Sequence, residues 1–69
     1  MSRIIEAIIA AVPAECSRSF AVVRYENGEA ECFWAVPTAE TARAIAKAQK
    51  MHSPEVVFAI VHDGLVTCP

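Results

Sequence analysis

The chain has 69 residues, of which 55% are hydrophobic and 20% charged, and its formal net charge at pH 7 is −2. This length predicts a single domain over residues 1–69, the apolar content excludes a disordered chain, and the acidic balance argues against general nucleic-acid binding. Because so short a domain hides only about 60% of its unfolded surface, some apolar side chains should stay exposed and form an interface.

The first predicted element is a helix, because four apolar residues recur at the spacing i, i+3, i+4 and i+7 and share one face. These residues are Ile5, Ile8, Ile9 and Val12. Ser2 is placed to cap the N-terminus of this helix. Pro13 ends it, since the residue before a proline avoids the helical conformation. We expect the isoleucines to cover the sheet formed by the rest of the chain, or a neighbouring sheet.

A β-hairpin is predicted from Phe20 to Val36, because Asn27-Gly28 separates two β-prone runs and both residues tolerate a positive φ. A two-residue loop sets the register, which places Arg24 opposite Glu31. The same register pairs Phe20 with Ala35, Ala21 with Trp34, Val22 with Phe33 and Val23 with Cys32. Both faces of this hairpin are apolar, so each face must be covered by a helix or by a partner chain.

A second helix is predicted to begin after its N-cap Thr38 and to stop at Ser53-Pro54. Its small-residue face consists of Ala39, Ala42, Ile45 and Ala46. The run from Glu55 to Val61 has two apolar faces and predicts a central strand, and His62 to Leu65 form a second tight turn before a short edge strand. The predicted fold class is α+β in the order α-β-β-α-β-β, with the helices packed on a small antiparallel sheet.

The sequence contains no pattern typical of a metal site or an enzyme. The potential metal ligands are Cys16, Cys32, Cys68, His52 and His62. None of them form the closely spaced pairs that a structural zinc site needs. Gly28 and Gly64 both belong to turns, and no serine or cysteine lies in a nucleophile motif. We therefore expect no enzymatic activity, no cofactor and no metal.

The N-terminal apolar run from Ile4 to Val12 is interrupted by Glu6, so we expect no secretory signal, and no stretch reaches the ~18 apolar residues of a membrane span. Three cysteines are an odd number and do not form a disulfide framework. We therefore expect free thiols and a cytoplasmic location, where cysteines stay reduced.

Two charged clusters are candidate binding surfaces. Glu26, Glu29 and Glu31 crowd the first hairpin turn, and Asp63 joins them if the second turn lies at the same end of the sheet. Such a cluster can imitate phosphates and engage a basic groove, or it can simply keep the turn soluble. On the second helix, a basic stripe that could contact phosphates consists of Arg43, Lys47 and Lys50, although a solvated outer face would look the same. Trp34 and Tyr25 could be anchors of an interface, which aromatic side chains favour, or they could fill the core of so small a domain.

Two segments resemble the small phage-encoded anti-CRISPR proteins that act on type I CRISPR systems. They are the turn Tyr25-Glu26-Asn27-Gly28-Glu29, and the run 42–48, rich in alanine, followed by Ser53-Pro54-Glu55-Val56-Val57. The first helix departs from that pattern. The resemblance implies a non-enzymatic inhibitor that binds a protein subunit of a type I surveillance complex, in the cytoplasm of a bacterial host, and blocks target-DNA recognition.

Two other hypotheses remain open from the sequence: a nucleic-acid-binding or regulatory module that uses the basic stripe, and an orphan subunit of a larger assembly. In the inhibitor hypothesis no direct nucleic-acid contact is expected. The apolar excess also predicts a homodimer, because burying apolar area contributes roughly 25 cal/mol per Å² before association costs. Cys68, near the C-terminus, is the candidate for an intermolecular disulfide in oxidising solution, and Cys16 is a competing candidate.

Overall fold

The computed structural model describes residues 3–68, and the predicted α+β class and element order are confirmed. Ser2, the predicted cap of the first helix, lies outside the described residues. The elements are α1 (Arg3–Ala10), a 3₁₀ turn (Ala14–Cys16), β1 (Phe20–Glu26), β2 (Glu29–Val36), α2 (Ala39–His52), β3 (Val57–His62) and β4 (Leu65–Thr67). Between residues 3 and 68, neither helix has the length and apolar character needed to cross a membrane.

The four strands form one antiparallel sheet in the order β2-β1-β3-β4. The predicted central position of β3 is confirmed, because it lies between β1 and β4. In the two central strands the middle residues are buried on both faces, namely Ala21, Val22, Val23, Phe58, Ala59, Ile60 and Val61. Strands β2 and β4 are the two edges of the sheet, and their outer backbone groups have no strand partner within residues 3–68.

The two helices lie on opposite faces of this sheet, which explains why both faces of the hairpin are apolar. On one face α2 packs its fully buried Ala42 and Ala46 against Val22 and Phe58. Because both alanines are small, the helix axis can approach the strands closely. On the other face α1 covers the sheet. Within α1 only Ile8 is buried, and Ile5 and Ile9 stay partly exposed. Only part of the predicted apolar face of α1 is therefore buried against the sheet.

The hairpin has the predicted turn, and its register is as predicted only near that turn. Asn27 and Gly28 have φ values of 53° and 80°, and Arg24 lies opposite Glu31. Beyond Val23 the pairing shifts by one residue, so the register predicted further from the turn is wrong. Val22 pairs with Trp34 and not Phe33, Ala21 with Ala35 and not Trp34, and Phe20 with Val36 and not Ala35.

This shift is a β-bulge that inserts Phe33 as an extra residue of β2. The bulge has a packing consequence, because Phe33 reaches the core beneath α2 and meets Phe58 edge-on, with ring centroids 6.4 Å apart and planes at 75°. An aromatic pair in this geometry contributes about 1 kcal/mol beyond its buried area. Trp34 follows the bulge and remains 50% exposed. Of the two positions predicted for it, surface or core, it therefore occupies the surface.

The ends of α2 and the second turn also form as predicted. Thr38 caps the helix, with its Oγ1 accepting a hydrogen bond from the Thr41 backbone N–H at 3.3 Å. At the other end, the Ser53 N–H donates to the Gln49 carbonyl at 3.0 Å. Asp63 and Gly64 have φ values of 48° and 77°, as a two-residue hairpin turn requires.

Candidate functional site

The three glutamates at the first hairpin turn lie on one face of the sheet. Glu26 pairs directly with Glu29, and Glu31 pairs with Arg24, and residues opposite each other in an antiparallel pair share a face. Two like charges directly opposite each other are destabilising. The Arg24 guanidinium reduces this cost because it donates to the Glu26 carboxylate, and its Nη1 lies 3.9 Å from Glu31 Oε1. These four side chains together still carry a net charge of −2.

The same residues surround a polar cleft of about 350 Å³, which we call the acidic cleft. It is lined by Arg24, Glu26, Asn27, Glu29, Ala30 and Glu31. Glu29 and Glu31 are exposed to solvent. Ion pairs at such exposed positions are worth only about 0–1 kcal/mol, so a partner's cations can displace Arg24 at little cost. The cleft therefore offers carboxylates that a basic surface could bind.

Asp63 does not join this cluster. β1 and β3 run antiparallel, with Tyr25 opposite Val57 and Ala21 opposite Val61, so the turn after β3 lies at the opposite end of the sheet. The five residue steps of β3 from Val57 to His62, at roughly 3.3 Å each, span about 17 Å, so the two turns lie at least this far apart. Asp63 instead donates its backbone N–H to the Ser17 carbonyl at 3.2 Å. Asp63 was expected to extend the cluster only if both turns lay at the same end of the sheet, and they lie at opposite ends.

The basic stripe of α2 is present, but its members have different environments. Lys50 donates from Nζ to the Val56 carbonyl at 2.8 Å, which ties the end of α2 to the start of β3. Arg43 lies along the side of α2 that faces β4, where it lines a cavity. Lys47 is exposed. All three residues are exposed, so a phosphate backbone could reach each of them, and Arg43 and Lys50 also line cavities beside β4.

Two apolar cavities lie beside β4 on the α2 face of the sheet, and the sequence did not predict them; together we call them the α2–β4 groove. One part is a cavity of about 210 Å³, lined by Phe20, Ala39, Arg43, Ile60, His62, Leu65 and Thr67. A second part of about 270 Å³ is lined by Lys50, Val57, Phe58 and Cys68. Leu65, on the edge strand, is 71% exposed. The groove exists because α2 lies over β1, β2 and β3 and leaves β4 uncovered on this face.

The three cysteines are free thiols; Cys68 is exposed, and Cys16 and Cys32 are partly buried. Burial raises the pKa of the Cys32 thiol, and the nearby Cys16 raises it further, while a backbone hydrogen bond with Trp34 lowers it. Cys32 therefore stays protonated to higher pH than an ordinary thiol. Its half-buried position on β2 agrees with its predicted place opposite Val23.

Within residues 3–68, no three side chains of histidine, cysteine, aspartate or glutamate lie close enough together to hold a metal ion. Comparison with known proteins finds no family model, no curated protein and no solved structure that matches the chain. The described residues present three surface features that could bind a partner, namely the acidic cleft, the α2–β4 groove and the exposed Trp34.

Proposed function

We propose that this chain is a non-enzymatic inhibitor that binds a protein subunit of a type I CRISPR surveillance complex and blocks target-DNA recognition by protein–protein contact in the bacterial cytoplasm. The observation that carries this proposal is the acidic cleft, where Glu26, Glu29 and Glu31 share one face around a single arginine. The resemblance of the hairpin and of the alanine-rich helix to anti-CRISPR proteins names the partner.

The chemistry of the target surface supports this choice of partner. A protein surface that receives DNA carries lysines and arginines, because most of its affinity comes from phosphate contacts. Exposed carboxylates on a rigid hairpin can pair with those cations and leave no room for the phosphates. Glu29 and Glu31 are suited to this role because they are two residues apart on one strand and point to the same side.

Trp34 supplies an apolar contact on the same edge strand. It is 50% exposed and lies on β2, the strand that also carries Glu29 and Glu31. Aromatic side chains are favoured anchors of protein interfaces, and charged pairs at the rim mainly set orientation and association rate. The proposed binding surface is therefore the exposed edge of β2, with carboxylates at one end and Trp34 toward the other.

The test is target-DNA binding by a purified type I surveillance complex in the presence of this protein. Wild-type protein should reduce DNA binding, and the double variant Glu29→Gln, Glu31→Gln should need at least about tenfold more protein for the same effect. The matched control is Glu40→Gln, Glu55→Gln, which removes the same charge from exposed positions outside the hairpin and should inhibit like wild type. Unchanged DNA binding at saturating wild-type protein would overturn the proposal.

The alternative is a nucleic-acid-binding module that uses Arg43, Lys47 and Lys50. One observation favours it: within residues 3–68, no carboxylate lies within 4.0 Å of the charged groups of these three side chains. A gel shift with DNA and RNA over a range of salt concentrations tests it, because phosphate contacts weaken as salt rises. Salt-sensitive binding that disappears in Lys47→Glu would support this function in place of the first.

A further inference from the structure

The outer edge of β4 has no strand partner among residues 3–68, and its hydrogen-bonding register is defined. Leu65 pairs with His62 next to a two-residue turn, so these two residues exchange hydrogen bonds with each other. Hydrogen-bonding direction alternates along an antiparallel strand. The N–H and C=O of Val66 therefore point away from β3, toward the free side of the sheet.

Apolar side chains flank this edge on both faces of the sheet. On the α2 face, Leu65 is 71% exposed beside the groove that α2 leaves open. On the other face, Ile9 of α1 is 39% exposed and lines a cavity of about 170 Å³ together with Gly64. An open edge with apolar rims associates readily with another strand unless something covers it.

We propose that a second copy of this chain covers the edge, with the two β4 strands paired antiparallel about a two-fold axis at Val66. Val66 of each copy then exchanges hydrogen bonds with Val66 of the other, and Leu65 lies opposite Thr67 of the second copy. Leu65 thereby enters the second copy's groove between α2 and β4. The two sheets become one continuous sheet, and each contact occurs twice because the interface is isologous.

Charge complementarity favours a second copy in this register. Asp63 lies at the turn before β4, and its side chain is 64% exposed. Antiparallel pairing brings this turn to the far end of the second copy's β4, where Lys50 and Cys68 line one cavity. Asp63 of each copy, whose carboxylate lies 3.4 Å from its own His62 Nε2, then faces Lys50 of the other copy, whose Nζ also donates to the Val56 carbonyl, and this makes two complementary charge pairs across the axis.

The proposed register also determines the position of the cysteines. Cys68 of one copy lies opposite Gly64 of the other, so the two Cys68 residues are offset by four residues, roughly 13 Å along the strands. A disulfide needs Cα atoms within about 7 Å. The dimer is therefore held by strand pairing and apolar burial, and it does not use a Cys68 disulfide.

The test is the solution mass of the protein, measured by light scattering and sedimentation over a range of concentrations. The key variant is Leu65→Arg, which places a cation in a groove already flanked by Arg43 and Lys50. Its matched control is Met51→Arg, the same type of change at an 84% exposed residue on the side of α2 opposite the buried alanines. Both residues are exposed, so neither substitution should unfold the protein.

We expect a wild-type dimer, a dissociation constant raised at least about tenfold in Leu65→Arg, and no change in Met51→Arg. A monomeric wild-type protein, a dimer that Leu65→Arg leaves intact, or equal effects of the two variants would each overturn the proposal.

A double-mutant cycle tests the register itself. Asparagine replaces Asp63 because it tolerates the positive φ of 48° at this position, and glutamine replaces Lys50. If the two residues pair across the axis, each single variant weakens the dimer, and the double variant weakens it by less than the product of the two single effects. Independent effects that simply multiply would show that Asp63 and Lys50 do not meet, and the register would be wrong.

Discussion

The imidazole of His62 lies flat on the ring of Phe20, with ring centroids 3.9 Å apart and planes 10° apart. The Nδ1 of His62 also lies 3.1 Å from the Ser19 carbonyl, to which it donates a hydrogen bond. These two contacts join the end of β3 to the residues where β1 begins. The ends of the two central strands are thereby held together on the side of the molecule away from the acidic cleft.

We predict that His62→Ala destabilises the domain by about 1–2 kcal/mol, because it removes both the stacking contact and the hydrogen bond. In a domain of this size the melting temperature should fall by roughly 4–8 °C for each kcal/mol. The control is His52→Ala, at the exposed end of α2, which should melt within about 0.5 kcal/mol of wild type. Equal melting of the two variants would show that the stacked contact contributes nothing.

Ala46 is fully buried where α2 lies against the sheet, and Ala46→Asp should unfold the domain. The substitution buries a carboxylate without a partner, which costs at least about 3 kcal/mol and consumes most of the stability of so small a core. Ala44→Asp, at an exposed position of the same helix, is the control and should cost less than about 1 kcal/mol. A cooperative melt of Ala46→Asp close to that of wild type would contradict the packing of α2.

Residues whose geometry is set locally were predictable from the sequence. Asn27-Gly28 and Asp63-Gly64 both form the expected turns, because few other residues adopt a positive φ at low cost. Thr38 caps α2 for an equally local reason, since its hydroxyl reaches a free N–H within the next turn. Element order follows from such signals, and it was predicted correctly.

The bulge at Phe33 was not predictable, because a hairpin that is apolar on both faces has no alternation to fix its register beyond the turn. The position of Asp63 depended on how β1 and β3 pair, which is a non-local contact. The α2–β4 groove depends on the rotation of α2 about its axis and on the shortness of β4. Nothing in the residues around Leu65 specifies either, so the sequence could not show that this leucine stays exposed.

The raised pKa of Cys32 predicts slow and pH-dependent alkylation. Only the thiolate reacts with iodoacetamide, and Cys32 keeps its proton to higher pH than an ordinary thiol. Between about pH 8 and about pH 10, labelling of Cys32 should lag behind labelling of the exposed Cys68, and it should rise steeply with pH. Peptide mapping by mass spectrometry measures both rates. Equal rates at every pH would contradict the burial of Cys32.

The raised pKa of the Cys32 thiol also predicts that the stability of the fold decreases at alkaline pH. Below the ordinary thiol pKa, Cys32 is protonated in both the folded and the unfolded chain and has no effect. Above it, the unfolded chain releases a proton that the folded chain retains, so stability falls as pH rises. Cys32→Ala should flatten this alkaline decline in denaturant unfolding, and an unchanged pH dependence in that variant would contradict the assignment.

A dimer can form by strand pairing or by an intermolecular disulfide, and the two explanations predict different behaviour of the serine variants of Cys68 and Cys16. If β4 pairs about Val66, the Cys68 thiols are too far apart to bond, and Cys68→Ser should dimerise with the wild-type dissociation constant in both reducing and oxidising buffer. The competing candidate Cys16 lies in the 3₁₀ turn before β1 and near Cys32 of β2, the strand at the other edge of the sheet, so Cys16→Ser should behave in the same way. If instead Cys68→Ser is monomeric while wild type is a dimer only under oxidising conditions, the disulfide drives association and the β4 interface is wrong. A dimer that survives in both serine variants and dissociates in Leu65→Arg would assign association to the apolar edge, because Leu65→Arg places a charge there, whereas Cys68→Ser exchanges one small uncharged side chain for another at the end of the groove.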